Sequence, residues 1–255
     1  MTDIRDLLAL PEEARLRHRL TKKEIAGQYE EDAPADARYL NRTIAQATIA
    51  GVLRPETTGV RAFQDTDRRV DFIPVIDLVL ADNARPGDVT RVNELMHRSM
   101  PRPVVLQVTV PDGVPHLAVA ITRLSKSDTG GETSVVEASL TIPTERVSVG
   151  ALAISRLNRS DLWALYNDIV RTAAADGRPV SESLTAIQAV GLRRRLSDLA
   201  SELDAAVRDA RREKNMQRKI DLNAQTSRLR RAITDTHAAL YAPENQKHDE
   251  ESTTQ

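Results

Sequence analysis

The 255-residue chain contains no cysteine. That excludes disulfides, thiolate metal ligands and cysteine nucleophiles together, and it fits a reducing compartment. Lysine is also scarce, occurring only at 22, 23, 126, 214, 219 and 247. Chemistry that needs a lysine therefore has few places to reside. Nothing in the chain approaches the ~20 consecutive apolar residues that span a bilayer. The opening MTDIRDLLALPEEARLRHRL interleaves charge with apolar residues and is not expected to act as a signal peptide. These features predict a soluble, cytoplasmic protein with no membrane association. The formal charge of −1 supplies no global field for a polyanion, so any electrostatic role has to come from local patches.

Catalytic signatures are missing as well. The five histidines, His18, His97, His116, His237 and His248, are scattered, and none stands at an HExxH or HxH spacing. No GxSxG, P-loop or GxGxxG occurs, and Gly130-Gly131 reads as a hairpin turn. Asp71, Asp77 and Glu137 fall on expected strands, where acids on neighbouring strands can hold a divalent cation. A nuclease core of the restriction-enzyme type adds a lysine two residues after its second acid. Here Glu137 is followed by Ala138 and Ser139, and Asp77 by Leu78 and Val79. These carboxylates are expected to face solvent on a half-exposed sheet. The reading is non-enzymatic, with no cofactor and no metal, and a divergent metal-dependent nuclease using these three acids stands as the catalytic alternative.

Periodicity divides the chain into residues 1–150, an α+β domain, residues 151–240, a helical region, and residues 241–255, an acidic tail expected to be disordered. Asp3–Leu20 carries Ile4, Leu7, Leu8, Leu16 and Leu20 near helical spacing, with Pro11 dividing it into two short helices. Thr21 and Glu24 form a capping-box signature for a helix through Gln28, and a further helix is expected over Asp36–Ala47. Strands are expected at Ile49–Leu53, Val70–Leu80, Val104–Val110, Pro115–Leu124 and Val135–Ile142, with a short helix over Val89–Ser99. Pro74 marks Val70–Leu80 as an edge strand or a bulge. The turns Pro111-Asp112-Gly113 and Asp128-Thr129-Gly130-Gly131 join the last three strands into a meander. The expected fold class is therefore α+β, an antiparallel sheet of about four to five strands flanked by helices, with a long C-terminal helical hairpin or coiled coil. Ser160 is the expected cap of a helix bearing Leu162, Trp163, Leu165, Tyr166, Ile169 and Val170.

The C-terminal run carries the strongest local pattern. Apolar residues recur at three and four from Leu184 to Val207 and again from Leu222 to Leu240, around the basic stretch RDARREKNMQRKIDLN, and between Val207 and Leu222 the only large apolar residues are Met216 and Ile220. Gly191–Arg231 holds 12 Lys/Arg against 6 Asp/Glu. A continuous helix from Leu192 to Leu240 would extend about 73 Å. The segment therefore either folds back near Arg211–Asn215 or pairs with another chain. Arg208, Arg211, Arg212, Lys214, Asn215, Arg218, Lys219 and Asn223 form the candidate partner- or phosphate-binding set. At spacings of three and four, Arg208, Arg211 or Arg212, Asn215 and Arg218 or Lys219 are expected to share one helix face. The plain alternative is a solvated helix flank, partly neutralised by Asp209 and Glu213. With no aromatics interleaved among these cations, base stacking is not expected.

LTKKEIAGQ, VDFIPVIDLVL, VNELMHRSMPRPVVLQVTV, DLWALYNDIV and, above all, REKNMQRKIDLNAQTSRLRRAI occur in an order that resembles a bacterial family known as domain of unknown function 4391. Glu213, Lys214, Arg218, Lys219, Leu222 and Asn223 fall where that family's pattern expects them, while the N-terminal half has fewer aromatics than the pattern. The resemblance spans roughly residues 20–233. It implies a genomic setting rather than a reaction, since such proteins tend to be encoded beside DNA methyltransferases and helicases in restriction-modification or defence clusters. The implied role is an accessory subunit. Combined with the residue pattern, the leading expectation is that the C-terminal helices dock onto a helicase, a DNA methyltransferase or a second copy of the chain, and the alternative is a nucleic-acid-binding adaptor that contacts DNA through the same basic face.

Overall fold

Thr21 begins the second helix as its sequence predicts. Its hydroxyl accepts from the Glu24 N–H, and the Glu24 carboxylate accepts from the Thr21 N–H at 2.7 Å. In the computed structural model, which describes residues 3–29, 33–125 and 134–242, this is one of eight α-helices among the described residues. The first 178 residues, with Thr185–Val190, form one compact unit; Pro179–Leu184 and the chain from Gly191 form a second.

The first unit holds α1 (Ile4–Leu7), β1 (Arg15–Arg19), α2 (Lys22–Ala26), α3 (Pro34–Thr43), β2 (Ile44–Leu53), α4 (Pro55–Thr58), β3 (Phe63–Gln64), β4 (Arg69–Val70), β5 (Ile73–Leu80), α5 (Pro86–Ser99), β6 (Val105–Thr109), β7 (His116–Leu124), β8 (Ser134–Pro143) and α6 (Leu162–Ala174). Six strands form one sheet in the order β1-β2-β5-β6-β7-β8, and β3 pairs with β4 in a separate ribbon.

This corrects the expected antiparallel sheet of four to five strands. The sheet is mixed, because β5 and β6 run parallel in the register Val75 to Val105 through Val79 to Thr109. The cause is α5. A helix between two strands returns the chain to the starting end of the sheet, and a parallel partner follows. Turn chemistry governs only what comes after α5, and there β6, β7 and β8 do form an antiparallel meander. The sixth strand, β1, replaces the second of the two short helices expected before Leu20. Its sequence RLRHR is exposed along nearly its whole length, so it carries almost no burial signal. As an edge strand rich in arginine it has charges where a neighbouring chain would otherwise pair.

Pro74 does not mark an edge, since β5 lies between β2 and β6. Pro74 faces Val52 of β2, and pairing to β6 begins only at Val75, so its missing N–H leaves no gap on the β6 side. The bulge nearest to Pro74 lies in β2, where Ile49 and Gly51 face the adjacent residues Ile76 and Val75. Gly51 is required there, because a Cβ would meet Leu10 Cδ1 at 2.7 Å and Ala14 O at 2.8 Å. The helix expected over Asp36–Ala47 ends at Thr43 and gives way to β2, which is longer than anticipated. The helix expected to start at Ser160 is capped one residue later, its Ala164 N–H donating to Asp161 Oδ1 at 2.8 Å.

Ile76, Leu78 and Leu80 on one face of β5 pack with Leu106 and Val108 of β6 against Val89, Val92, Leu95 and Met96 of α5 and Leu40 of α3. Ile73 and Val75, on the other face, are equally buried. Helix α6 packs on β7 and β8, and its Tyr166 completes the sheet. If the register that pairs Leu106 with Ala118 continued, Val104 would face Ala120, but β6 has ended there. The Tyr166 hydroxyl fills the gap. It accepts from the Ala120 N–H at 3.1 Å and stands 2.8 Å from Ala120 O and 3.0 Å from Val104 O. Tyr166→Phe leaves these backbone groups buried without a partner, and we expect a loss of roughly 2–4 kcal/mol in urea unfolding. A loss below about 0.5 kcal/mol would show that the strands close without the hydroxyl.

On α5, Asn93 and His97 are buried completely. The Asn93 amide donates to Leu140 O at 3.2 Å and to Thr141 Oγ1 at 3.1 Å. Burial pushes the His97 pKa from 6.5 down to about 3. Between those values the unfolded chain binds a proton that the folded chain refuses. The stability that neutral His97 permits is therefore fully present above about pH 6.5 and drains as pH falls toward 3, by up to about 1.4 kcal/mol per pH unit. His97→Leu should flatten the unfolding free energy over this window relative to the parent chain. Parallel pH profiles for the two proteins would contradict a neutral buried imidazole.

The second unit is a helical hairpin. Helix α7 (Ala186–Arg212), whose first turn belongs to the other unit, and α8 (Met216–Leu240) are separated by three residues. Leu199 and Ala206 pack with Leu229, flanked by Leu203, Ala232 and Ile233. Leu199 and Leu229 lie at equal distances from the turn along the two helices, as antiparallel helices require. Near the open end, Val180 bridges to Tyr241, and the Ser181 N–H donates to Leu240 O at 3.2 Å. The turn expected at Asp128–Gly131 and the tail from residue 243 lie outside the described residues.

Candidate functional site

The hairpin turn is built from its own side chains. Asn215 caps α8, its Oδ1 accepting from the Arg218 N–H at 3.1 Å, and its own N–H donates to Glu213 Oε1 at 2.8 Å. The Asn215 N–H, with that of Lys214, holds the Glu213 carboxyl below its ordinary pKa. One expectation is corrected here. Arg208, Arg211 and Arg212 do not share a single helix face with Asn215, Arg218 and Lys219, because the chain reverses at 213–215. The first three end α7, Lys214 and Asn215 make the turn, and Arg218, Lys219 and Asn223 open α8. The hairpin still brings both sets to one end. All eight are exposed apart from their backbones' helical bonds, and among the described residues no ion pair engages any of their cations.

The helix dipoles treat these charges unequally. Arg211 and Arg212 sit in the last turn of α7, where cations are favoured, but α8 has no acid in its first turn and carries Arg218 and Lys219 there. Cations at a helix N-terminus are disfavoured by a few tenths of a kcal/mol each. The turn end therefore concentrates positive potential at a cost to the hairpin's own stability.

Two grooves flank the seam between the helices. Along one, Arg212, Lys214, Arg218 and Arg228 alternate with Asp209, Glu213 and Asp221. Along the other lie Arg211, Lys219 and Arg230 with Asn223, Thr226 and Ser227, and no carboxylate. Arg208 lines neither groove. Arg228 and Arg230 were missed by sequence reasoning, although Arg230 continues the spacing of Lys219, Asn223 and Ser227 along α8. Two large apolar side chains also stand in solvent at this end, Met216 at 73 % and Ile220 at 51 % exposure. Their separation of four residues puts them on one side of α8.

The three carboxylates are not brought together, and Asp71, expected on a strand, falls between β4 and β5. Glu137 of β8 accepts from Arg68 at 2.6 Å and lies 3.8 Å from Arg123. Asp71 pairs with Arg69 at 2.8 Å and with Arg102 at 3.5 Å. Asp77 is half-buried beside Gln107 at 3.5 Å, and burial, with Asp3 nearby, raises its pKa. Asp71 and Glu137 are held by different arginines, and three strand spacings of sheet, roughly 14 Å, lie between β5 and β8. The expectation that all three face solvent is corrected for Asp77, which β2 and β6 flank. Among the described residues no group of three acids or histidines is placed to hold a metal ion. No described helix is long and apolar enough to cross a membrane.

An α+β unit joined in sequence to a basic two-helix unit is the class that these observations define. The chain belongs to the family described as Domain of unknown function (DUF4391), whose model matches residues 8–233 and so includes the hairpin turn and both grooves. Comparison with curated proteins and with solved structures gives no match.

Asn215 and Asn223 separate architecture from surface. With so small an apolar seam, the cap is a sizeable share of the hairpin's stability. Asn215→Ala should cost about 1 kcal/mol and speed hydrogen exchange in the first turn of α8 about fivefold. Asn223→Ala, exposed on the groove, should change exchange little. Equal effects of the two substitutions would mean that the cap does not hold the turn.

Proposed function

We propose that this protein is a non-enzymatic, cytoplasmic accessory subunit of a bacterial DNA-modification or anti-phage defence complex, which docks onto a helicase or DNA methyltransferase through the turn end of its C-terminal hairpin. The observation that supports docking is the exposure of Met216 and Ile220 among Arg212, Arg218 and Lys219. Methionine and arginine are enriched at protein interfaces, and the flexible thioether adapts to a partner's pocket. Lone phosphates would gain nothing from the two apolar side chains, whereas a protein surface removes them from water, worth roughly 1.5–3 kcal/mol for each one fully covered. The kind of partner is inferred from the genomic setting that the family resemblance implies.

The test is co-expression with the helicase or methyltransferase encoded in the same locus, followed by affinity purification and size-exclusion chromatography. Met216→Gln with Ile220→Gln keeps the charge and, at exposed positions, should shift stability by no more than about 0.5 kcal/mol each. We expect the double variant to fold and to lose co-elution at micromolar concentration. Co-elution equal to that of the parent chain would overturn docking through this end.

A further inference from the structure

We infer that the acid-free groove of the hairpin, lined by Arg211, Lys219 and Arg230, is a binding track for the phosphodiester backbone of a nucleic acid. The inference stands apart from docking through Met216 and Ile220, neither of which lines this groove.

The argument rests on the difference between two grooves on one hairpin. Both contain cations, and both are open to solvent. In the groove of Arg212, Lys214, Arg218 and Arg228, three carboxylates answer four cations. A bound polyanion there would face Asp209, Glu213 and Asp221 at close range, and the net attraction would be that of about one charge. In the other groove three cations are answered by none. None of the three is engaged in an ion pair among the described residues, so no intramolecular bond has to break before a ligand binds.

Spacing and composition narrow the ligand. Lys219 and Arg230 are eleven residues apart on α8, about 16 Å at 1.5 Å per residue, and Arg211 comes from the facing helix. A single phosphate cannot touch both ends of such a track, whereas a chain of phosphates can. Asn223 adds a side-chain amide between the two ends. The Thr226 and Ser227 hydroxyls donate to Leu222 O and Asn223 O at 2.9 and 3.1 Å, which leaves their oxygens as acceptors rather than phosphate donors. An acidic protein is the poorer fit, because Val207 and Ala210 are the only apolar residues lining the groove, too little to reward burial of a protein surface. No aromatic side chain lines it either, so bases have nothing to stack on and recognition should ignore sequence.

Fluorescence anisotropy of the full chain with labelled 30-nucleotide duplex and single-stranded DNA of unrelated sequences tests the track. Three phosphates neutralised predict a log-affinity against log-salt slope of about −2 to −3, with duplex and single strand distinguished by the steeper duplex slope. Arg211→Glu, Lys219→Glu and Arg230→Glu together should lower affinity at least tenfold at low salt and flatten the slope. Arg212→Glu, Lys214→Glu and Arg228→Glu make the same charge change on the opposite groove and should lower it less than threefold. Should the glutamate variants lose helicity by circular dichroism, the corresponding glutamine sets give the same comparison with smaller factors. Equal losses in the two sets, or no binding by the parent chain at 50 mM salt, would overturn the track. Met216→Gln with Ile220→Gln should leave DNA affinity unchanged, so failure of docking and failure of the track are read separately.

Discussion

The parallel pairing of β5 with β6 is the constraint from which the first unit is built. A parallel pair has no hairpin to close it, so the chain must return through α5, and α5 must lie against the sheet it has crossed. That requirement explains why Ile76, Leu78 and Leu80 meet Val89, Val92 and Met96 in one cluster, and why the alternate residues Ile73 and Val75 are buried too. It also explains the polar groups inside. The same helix that covers the sheet carries Asn93 and His97 inward, where Asn93 is bonded to β8 and His97 is kept neutral. Tyr166 serves the sheet from α6, satisfying backbone groups where the shorter β6 leaves β7 unpaired.

The hairpin obeys different physics. Its seam buries few large side chains, so burial contributes only a few kcal/mol, and local terms such as the Asn215 cap weigh heavily. Against that small margin the sequence places cations at the favourable end of α7 and at the unfavourable end of α8. A chain selected only to keep two helices together would place an acid in the first turn of α8, as α2 does with Glu24 and α5 with Asp88. At the hairpin turn no acid in the first turn of α8 offsets this electrostatic cost, and that turn is also where Met216 and Ile220 stand in solvent.

Legibility in the sequence followed the strength of the local signal. The capping box at Thr21 and Glu24, the meander from β6 to β8 and the stripe of α6 are written in short-range chemistry, whereas for the C-terminal run helical periodicity left a fold-back near residue 213 and pairing with another chain as equal alternatives. The parallel pair was legible too, since a helix was expected between the strands that became β5 and β6, but turn residues were allowed to decide the topology in its place. Strand β1 had no such cue. Its RLRHR pattern is that of an exposed edge, and exposed edges carry charge whatever their backbone does. At the candidate site the cations were found by composition, while their grouping was not. A linear helix pattern cannot say which side of a seam a residue will face once the chain has reversed, and Arg230 entered only through the fold-back.

That reversal turns a charge count into a surface with two sides. Along the sequence, Arg211 and Arg212 are neighbours with nothing to distinguish them. In the hairpin they fall on opposite sides of the seam, one beside Lys219 and Arg230 and the other beside carboxylates. Asp209, Glu213 and Asp221 all line the same groove, so one groove is nearly neutral and the other carries three cations with no acid. Screening over about 8 Å at physiological salt keeps such differences local. A polyanion approaching this end therefore meets two distinct surfaces rather than the field of a uniformly basic helix, and the side without carboxylates holds it more tightly.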